Sequence, residues 1–188
     1  YKIITTNADD LLKQKKVVQT KKKKVEVNVD EFKRFFRLSE LNKDEVQYLL
    51  DKGYKEFKKK SLVSNKVGKF LIKPRFNESD NHFFVTYDIA EYLVKQGIKC
   101  QKFVTKKPDI VFRHNGKKCA IEVETGSQIF KTERMKAKVK ELNRSYDEWF
   151  FVVTNKNHST KYRKYGKVIE MRYLQSHLRK VLKNVLKK

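Results

Sequence analysis

Five consecutive bulky residues, Trp149-Phe150-Phe151-Val152-Val153, constrain this chain more than any other segment. A helix would bury only one stripe of such a run, and an edge strand only one face. A continuous β-branched and aromatic run of this length suits a strand covered on both sides, as in sheets with helices on each face. The preceding segment, from about Ser127 to Tyr146, carries Thr132, Met135, Val139, Leu142 and Tyr146 at alternating threes and fours, which predicts a helix. A helix followed by a doubly buried strand implies a crossover into a sheet with parallel pairs. The stripe lasts too briefly for a coiled coil and reads as core.

Other signals extend this α/β frame. A helix is expected from Asp80 or Asn81 to about Lys95, with Phe83, Phe84, Tyr87, Ala90, Leu93 and Val94 on one face and Gly97 after its end. Strands are expected at Cys100–Thr105, Asp109–Arg113 and Lys118–Glu124. The last two are joined by His114-Asn115-Gly116, and Asn-Gly is a strong hairpin signal. A short strand at Val168–Met171 and an amphipathic helix from Tyr173 to Lys188 complete a small mixed sheet flanked by helices. Residues 76–188 form this unit. Residues 28–75 read as a small module of two helices and a hairpin, with a winged-helix arrangement in view. Asp30 would cap a helix holding Phe32, Phe35 and Phe36. Asn42 would cap a second with Val46, Leu49 and Leu50, ended by Gly53, and Pro74 marks the boundary. Residues 1–27 are a basic leader containing Lys21-Lys22-Lys23-Lys24.

Charge narrows the function classes. Lys+Arg number 46 against 22 Asp+Glu, a formal net charge of +24. A lysine-rich genomic style would raise Glu alongside Lys, which is not the case here. The excess favours a polyanionic partner, and nucleic acid fits best, DNA ahead of RNA. Between Lys156 and Lys188 there are eleven Lys or Arg and one acid, Glu170. The two cysteines, Cys100 and Cys119, lack zinc-type spacing. No apolar run reaches membrane-spanning length, so no membrane partner is expected and a cytoplasmic setting is the default. The chain begins with Tyr, so a longer parent protein is expected. There is no glycine-rich phosphate loop and no Ser-His-Asp or Cys-His signature.

Against this basic background the acidic residues stand out. In Ala120-Ile121-Glu122-Val123-Glu124-Thr125-Gly126 the strand period of two puts Glu122 and Glu124 on one face, roughly 7 Å apart. Two such carboxylates repel unless a cation lies between them. The Asn-Gly hairpin brings Asp109, of Pro108-Asp109, beside Glu122. Three converging carboxylates offer the hard oxygen donors that magnesium prefers. The structural alternative is a surface pair bridged by Lys117, Lys118 or Lys131, which would contribute little.

At these residues the chain resembles the PD-(D/E)xK nuclease superfamily, the restriction-endonuclease-like fold, and is similar to archaeal Holliday junction resolvases and to nuclease-like domains of mobile elements. The likeness spans roughly residues 78–172 in element order. It implies a DNA endonuclease using Mg2+ or Mn2+, with Asp109, Glu122 and the Val123 carbonyl on the metal. Glu124 stands where the family has its lysine. It is expected to help ligate metal or activate water, with Lys131 reaching in from the next helix and Gln128 orienting water or phosphate. Glu78 and His82, near the start of the first helix, are accessory candidates. Lys117, Lys118, Arg134, Lys138, Arg163, Lys164, Arg179 and Lys183 are candidate phosphate contacts. Tyr162, Arg163, Lys164 and Tyr165 either bind unpaired bases or pack their rings on the sheet. The departure at Glu124 leaves a second reading open: a nuclease-fold domain that binds DNA without cutting it, within a mobile-element or DNA-transfer protein. Cleaving two strands is simplest with two sites about a two-fold axis, which suits a homodimer without requiring one.

Overall fold

The computed structural model describes residues 27–103 and 107–183. Its central sheet has five strands in the order β4-β5-β6-β7-β8: β4 (Cys100–Lys102), β5 (Ile110–His114), β6 (Lys117–Glu124), β7 (Glu148–Val153) and β8 (Val168–Glu170). β4, β5 and β6 run antiparallel, and β6, β7 and β8 parallel. The sheet is therefore mixed, as expected from the buried run now forming β7. The end of the expected first strand and residues 184–188 of the expected tail helix lie outside the described residues. Asn115 and Gly116 turn the hairpin with φ of 51° and 76°, the left-handed pair that such a two-residue turn demands.

Alternation along the strands sends side chains into two layers. Ile121, Val123, Phe150 and Val152 meet helix α2 (Asp80–Lys95) and the terminal helix α5 (Met171–Lys183) through Phe84, Val85, Ile89, Leu174 and Leu178. On the other face, Phe151 and Val153 meet α3 (Thr132–Ser145) and the short α4 (Ser159–Arg163) through Met135 and Tyr162. Glu122 and Glu124 share this second face, so their carboxylates are roofed by helices. The crossover from β6 through α3 to β7 joins parallel neighbours.

The amino-terminal part departs from expectation. Residues 35–37 form strand β1 (Phe35–Arg37), not a helix. It pairs with β3 (Val67–Ile72), which also pairs with β2 (Lys55–Lys60), in the order β1-β3-β2. Asp30 accepts a bond from the Phe32 N–H at 3.0 Å, but only a tight turn follows. The strand period explains why neighbouring Phe35 and Phe36 are both buried: they face opposite ways. Phe36 joins Leu49, Tyr54 and Leu71 under α1 (Lys43–Asp51), whose Asn42–Glu45 capping box is complete. Phe35 joins Phe70, Ile72 and Phe84. One helix over three strands is not the expected pair of helices with a hairpin. Phe84 lies 4.9–6.0 Å, centroid to centroid, from Phe35, Phe57 and Phe70. Truncating a side chain so enclosed costs about 3–5 kcal/mol. Pro74 thus divides two sheets that share one core.

No helix among the described residues is long and apolar enough to cross a membrane.

Candidate functional site

Asp109 sits one residue before β5. The paired register ends at Ile110↔Ile121, and one step beyond it Asp109 comes beside Glu122 and Pro108 beside Val123. In an antiparallel pair, a residue's N–H and C=O point toward the same neighbour. The Asp109 carbonyl accepts from the Phe103 N–H on the β4 side, so Pro108 and Ile110 direct their backbone groups toward β6. Pro108 has no N–H to give. The Val123 N–H donates to Asp109 Oδ2 at 2.7 Å, and Pro108, lacking an N–H, cannot donate to the Val123 carbonyl.

Glu122 and Glu124 close on a single cation. Lys138 Nζ lies 3.0 Å from Glu122 Oε2 and 3.1 Å from Glu124 Oε1. Tyr162, fully buried, donates its hydroxyl to Glu124 Oε2 at 2.8 Å. The two glutamates are 5% and 3% exposed. Burial pushes Glu122 up to about 7, against the pull of Lys138 and with the push of Asp109. Burial likewise opposes the charge on Lys138, but the two glutamates outweigh it and hold the ammonium above its usual range. Burial beside Glu124 keeps the Tyr162 phenol strongly raised and un-ionised.

The third acid has its own partner. Ser79 caps α2, accepting the His82 N–H at 3.2 Å, and this sets His82 in the first turn. The His82 ring bridges Asp109 Oδ1 through Nε2 and Glu78 Oε1 through Nδ1, both at 3.2 Å. Burial disfavours the imidazolium, but hydrogen bonds to Asp109 and Glu78 prevail and raise it from 6.5 to about 10. Glu78 Oε2 continues the chain to Arg34 at 3.3 Å. Burial would raise the Glu78 carboxyl, yet His82 and Arg34 together hold it below its usual value. His82 therefore lies against Asp109, Glu78 reaches that acid only through His82, and both are half-buried rather than in open solvent.

A cavity of about 1090 Å³ opens over these groups. Asp109, Glu122, Val123, Glu124, Gln128 and Lys138 line it, with Glu78, His82, Arg75, Phe76, Lys107 and Arg134 around them. The carbonyl oxygen of the Gln128 side chain is buried there without a hydrogen-bond partner among the described residues. Lys131, expected to reach in from the helix after β6, does not meet the acids. It is exposed at the N-terminus of α3 and does not line the cavity. Residues 125–131 form a turn, with Gly126 at φ 106°, so α3 starts later than expected. The lysine that meets the glutamates is two helical turns further along. Lys138, expected as a candidate phosphate contact, lies on the cavity wall between Glu122 and Glu124.

The other basic candidates scatter. Arg134 lines the cavity, exposed. Lys117 pairs with Glu148 at 2.6 Å, at the far end of β6, roughly 23 Å from Glu124 by strand rise. Lys118 lies over the Tyr146 ring, Arg163 pairs with Glu170, and Lys164 lies over Tyr165. Arg179 is exposed on α5, on the opposite layer from α3. Lys183 ends α5, and its side chain lies outside the described residues. Tyr162 turns inward, so the basic-aromatic segment packs this ring on the sheet rather than offering it to bases. Neither Tyr162 nor Arg34 carried a sequence signal for the site, each being far from the acids in the chain.

Oxygen donors of this kind are those a divalent cation such as magnesium takes. Among the described residues no three Asp, Glu, His or Cys side chains are grouped closely enough to hold an ion as they stand. Magnesium, however, is commonly held by one or two carboxylates, completed by water and substrate phosphate. Asp109, Glu122 and the Val123 carbonyl supply that minimum at the cavity wall. Comparison of the chain with protein-family models, with curated proteins and with solved structures returns no match.

Proposed function

We propose that this chain is a divalent-metal-dependent endonuclease that hydrolyses DNA phosphodiester bonds, built on a restriction-endonuclease-like sheet. The observation that carries the reading is the convergence of Asp109, Glu122, Glu124 and one lysine on a single cavity wall in a protein of net charge +24. Asp109, Glu122 and the Val123 carbonyl would hold Mg2+ or Mn2+. Such a cation supplies charge neutralisation at the phosphate and activation of water. Lys138 brings a second positive charge to the same wall, where it orients both glutamates and meets developing charge on a phosphate oxygen. Tyr162 fixes Glu124, Gln128 offers a free acceptor to a water proton, and His82, charged at neutral pH, steadies Asp109. Arg134 and Lys107 at the cavity edge contact the phosphate backbone.

One observation favours a second reading. Lys138 already engages both glutamates, and a nuclease-fold domain that only binds DNA would keep such a cluster as part of its structure. Labelled duplex, single-stranded and four-way-junction DNA, incubated with magnesium or manganese, separate the two. Metal-dependent cutting that disappears in Asp109→Ala and Glu122→Gln supports the endonuclease. Binding of all three DNAs without cutting by either metal refutes it and leaves the binding domain.

A further inference from the structure

Phe76 is the most exposed large apolar side chain among the described residues, at 102% of its reference area, and it lines the carboxylate cavity. A lone exposed phenylalanine is ordinary on a protein surface. Its mounting is not. Phe76 and Asn77 are the central residues of a tight turn from Arg75 to Glu78, closed by the Glu78 N–H donating to the Arg75 carbonyl at 3.3 Å. The base of that turn is braced. Glu78 is held by Arg34 at 3.3 Å and by His82 at 3.2 Å, and His82 is held by Asp109 at 3.2 Å. Two successive ionic contacts therefore tie the backbone that presents this ring to an acid of the site. Arg75 is its neighbour in the chain. Phe103, half-buried on the same cavity, has Lys107 Nζ 4.7 Å from its ring centroid.

Exposed rings interleaved with cations are the means by which proteins hold unpaired nucleic-acid strands: bases stack on the rings while the cations follow the phosphates. An intact duplex offers no free base face beside an internal phosphate. We infer that Phe76 is a specificity-determining stacking platform, and that the preferred substrate is DNA with an unpaired base next to the phosphate entering the cavity, as in a single strand, a flap or an open junction arm. This inference rests on the nucleic-acid reading of the cavity and names the substrate class within it.

Fluorescence anisotropy tests it without cleavage, using labelled oligothymidylate and a blunt duplex of equal length in EDTA at fixed salt. Phe76→Ala should weaken oligothymidylate binding about ten-fold, the size of one lost base stack, and change duplex binding less than about two-fold. Phe76→Trp should restore the single-strand affinity. Equal weakening on both DNAs, or unchanged oligothymidylate binding, overturns the inference. A protein that binds oligothymidylate in this Phe76-dependent way but cuts nothing refutes the proposed hydrolysis and leaves the platform standing. One that cuts duplex and single strand equally, whatever stands at position 76, does the reverse.

Discussion

Replacing Lys138 by Met keeps the length of the side chain and removes its charge, so it tests what holds Glu122 and Glu124 together. In the wild type one ammonium lies within 3.1 Å of both carboxylates. Removing one partner of a buried pair costs about 3–5 kcal/mol. Lys138 is 31% exposed, so water screens part of its contribution, and about 2–3 kcal/mol is the expected loss at pH 8. The loss has a ceiling, because the folded protein can protonate one glutamate instead of keeping two unpaired charges. The carboxyl's ordinary value is 4.5. At pH 5 that protonation spans half a pH unit, or about 0.7 kcal/mol. The sign follows from linkage. A carboxyl raised in the folded state binds more protons there than in the unfolded chain, so its stability is greatest below 4.5 and falls as pH rises toward the folded value. Urea unfolding of wild type and Lys138→Met at pH 5 and pH 8 reads this directly. The destabilisation should be about three times larger at pH 8. A loss independent of pH would show that Lys138 acts through packing, and the ion cluster described here would not be what holds this part of α3 to β6.

Three further outcomes are expected. Tyr162→Phe removes the donor to Glu124 Oε2 in a buried setting and should cost about 1–3 kcal/mol by urea unfolding; a neutral effect would mean that water replaces the hydroxyl. Gly126→Ala puts a Cβ at φ 106° and 2.5 Å from the His158 ring, so about 1–3 kcal/mol should be lost, and a loss below about 0.5 kcal/mol would contradict that geometry. His82, raised to about 10 by Asp109 and Glu78, should keep both ring nitrogens protonated at pH 8 in nitrogen-15 spectra; its stabilising effect is full below 6.5 and lost as pH rises through 10, and a midpoint near 6.5 would refute the bridge.

Local chemistry made some elements readable before any packing was known. The Asn115-Gly116 turn fixes the β5–β6 register by backbone conformation alone, and one step beyond that register Asp109 comes beside Glu122. The apolar run of β7 could be buried only in a covered strand. Phe32, Phe35 and Phe36 misled for an equally local reason. Their spacing imitates one face of a helix and Asp30 imitates its cap, yet pairing of Phe35 with Ile72 and Phe36 with Leu71 decides the conformation. Tertiary pairing overrides a short local pattern. The same limit applies to Tyr162, whose burial depends on how α4 meets Phe151 and Val153 of β7, an arrangement that nothing near Tyr162 in the chain encodes.

Lys138 shows why the acids were legible and their counter-charge was not. Strand geometry relates Glu122, Glu124 and Asp109 through one hairpin, so their convergence follows from a period and a turn. The cation comes from a helix, and which lysine it presents depends on where that helix begins. Ending the 125–131 turn one or two residues earlier or later would rotate α3 by about 100–200° and swing Lys138 off the sheet. The left-handed Gly126 and the turn bonds from the Ile129 and Lys131 N–H groups are thus part of the site's electrostatics as much as of its fold. On the proposed reading, a substrate phosphate entering the cavity would meet a lysine already engaged by Glu122 and Glu124, so on binding its charge would fall on Arg134, Lys107 and any metal ion, and Lys138 would meet it only as charge develops in the reaction. Affinity for DNA and cutting of DNA should then respond differently to mutation. Arg134→Ala should weaken binding and flatten its salt dependence, whereas Lys138→Met should leave binding nearly intact and abolish cutting. Parallel loss of both in Lys138→Met, with the fold intact at pH 5, would show that this lysine meets the phosphate before it meets the glutamates.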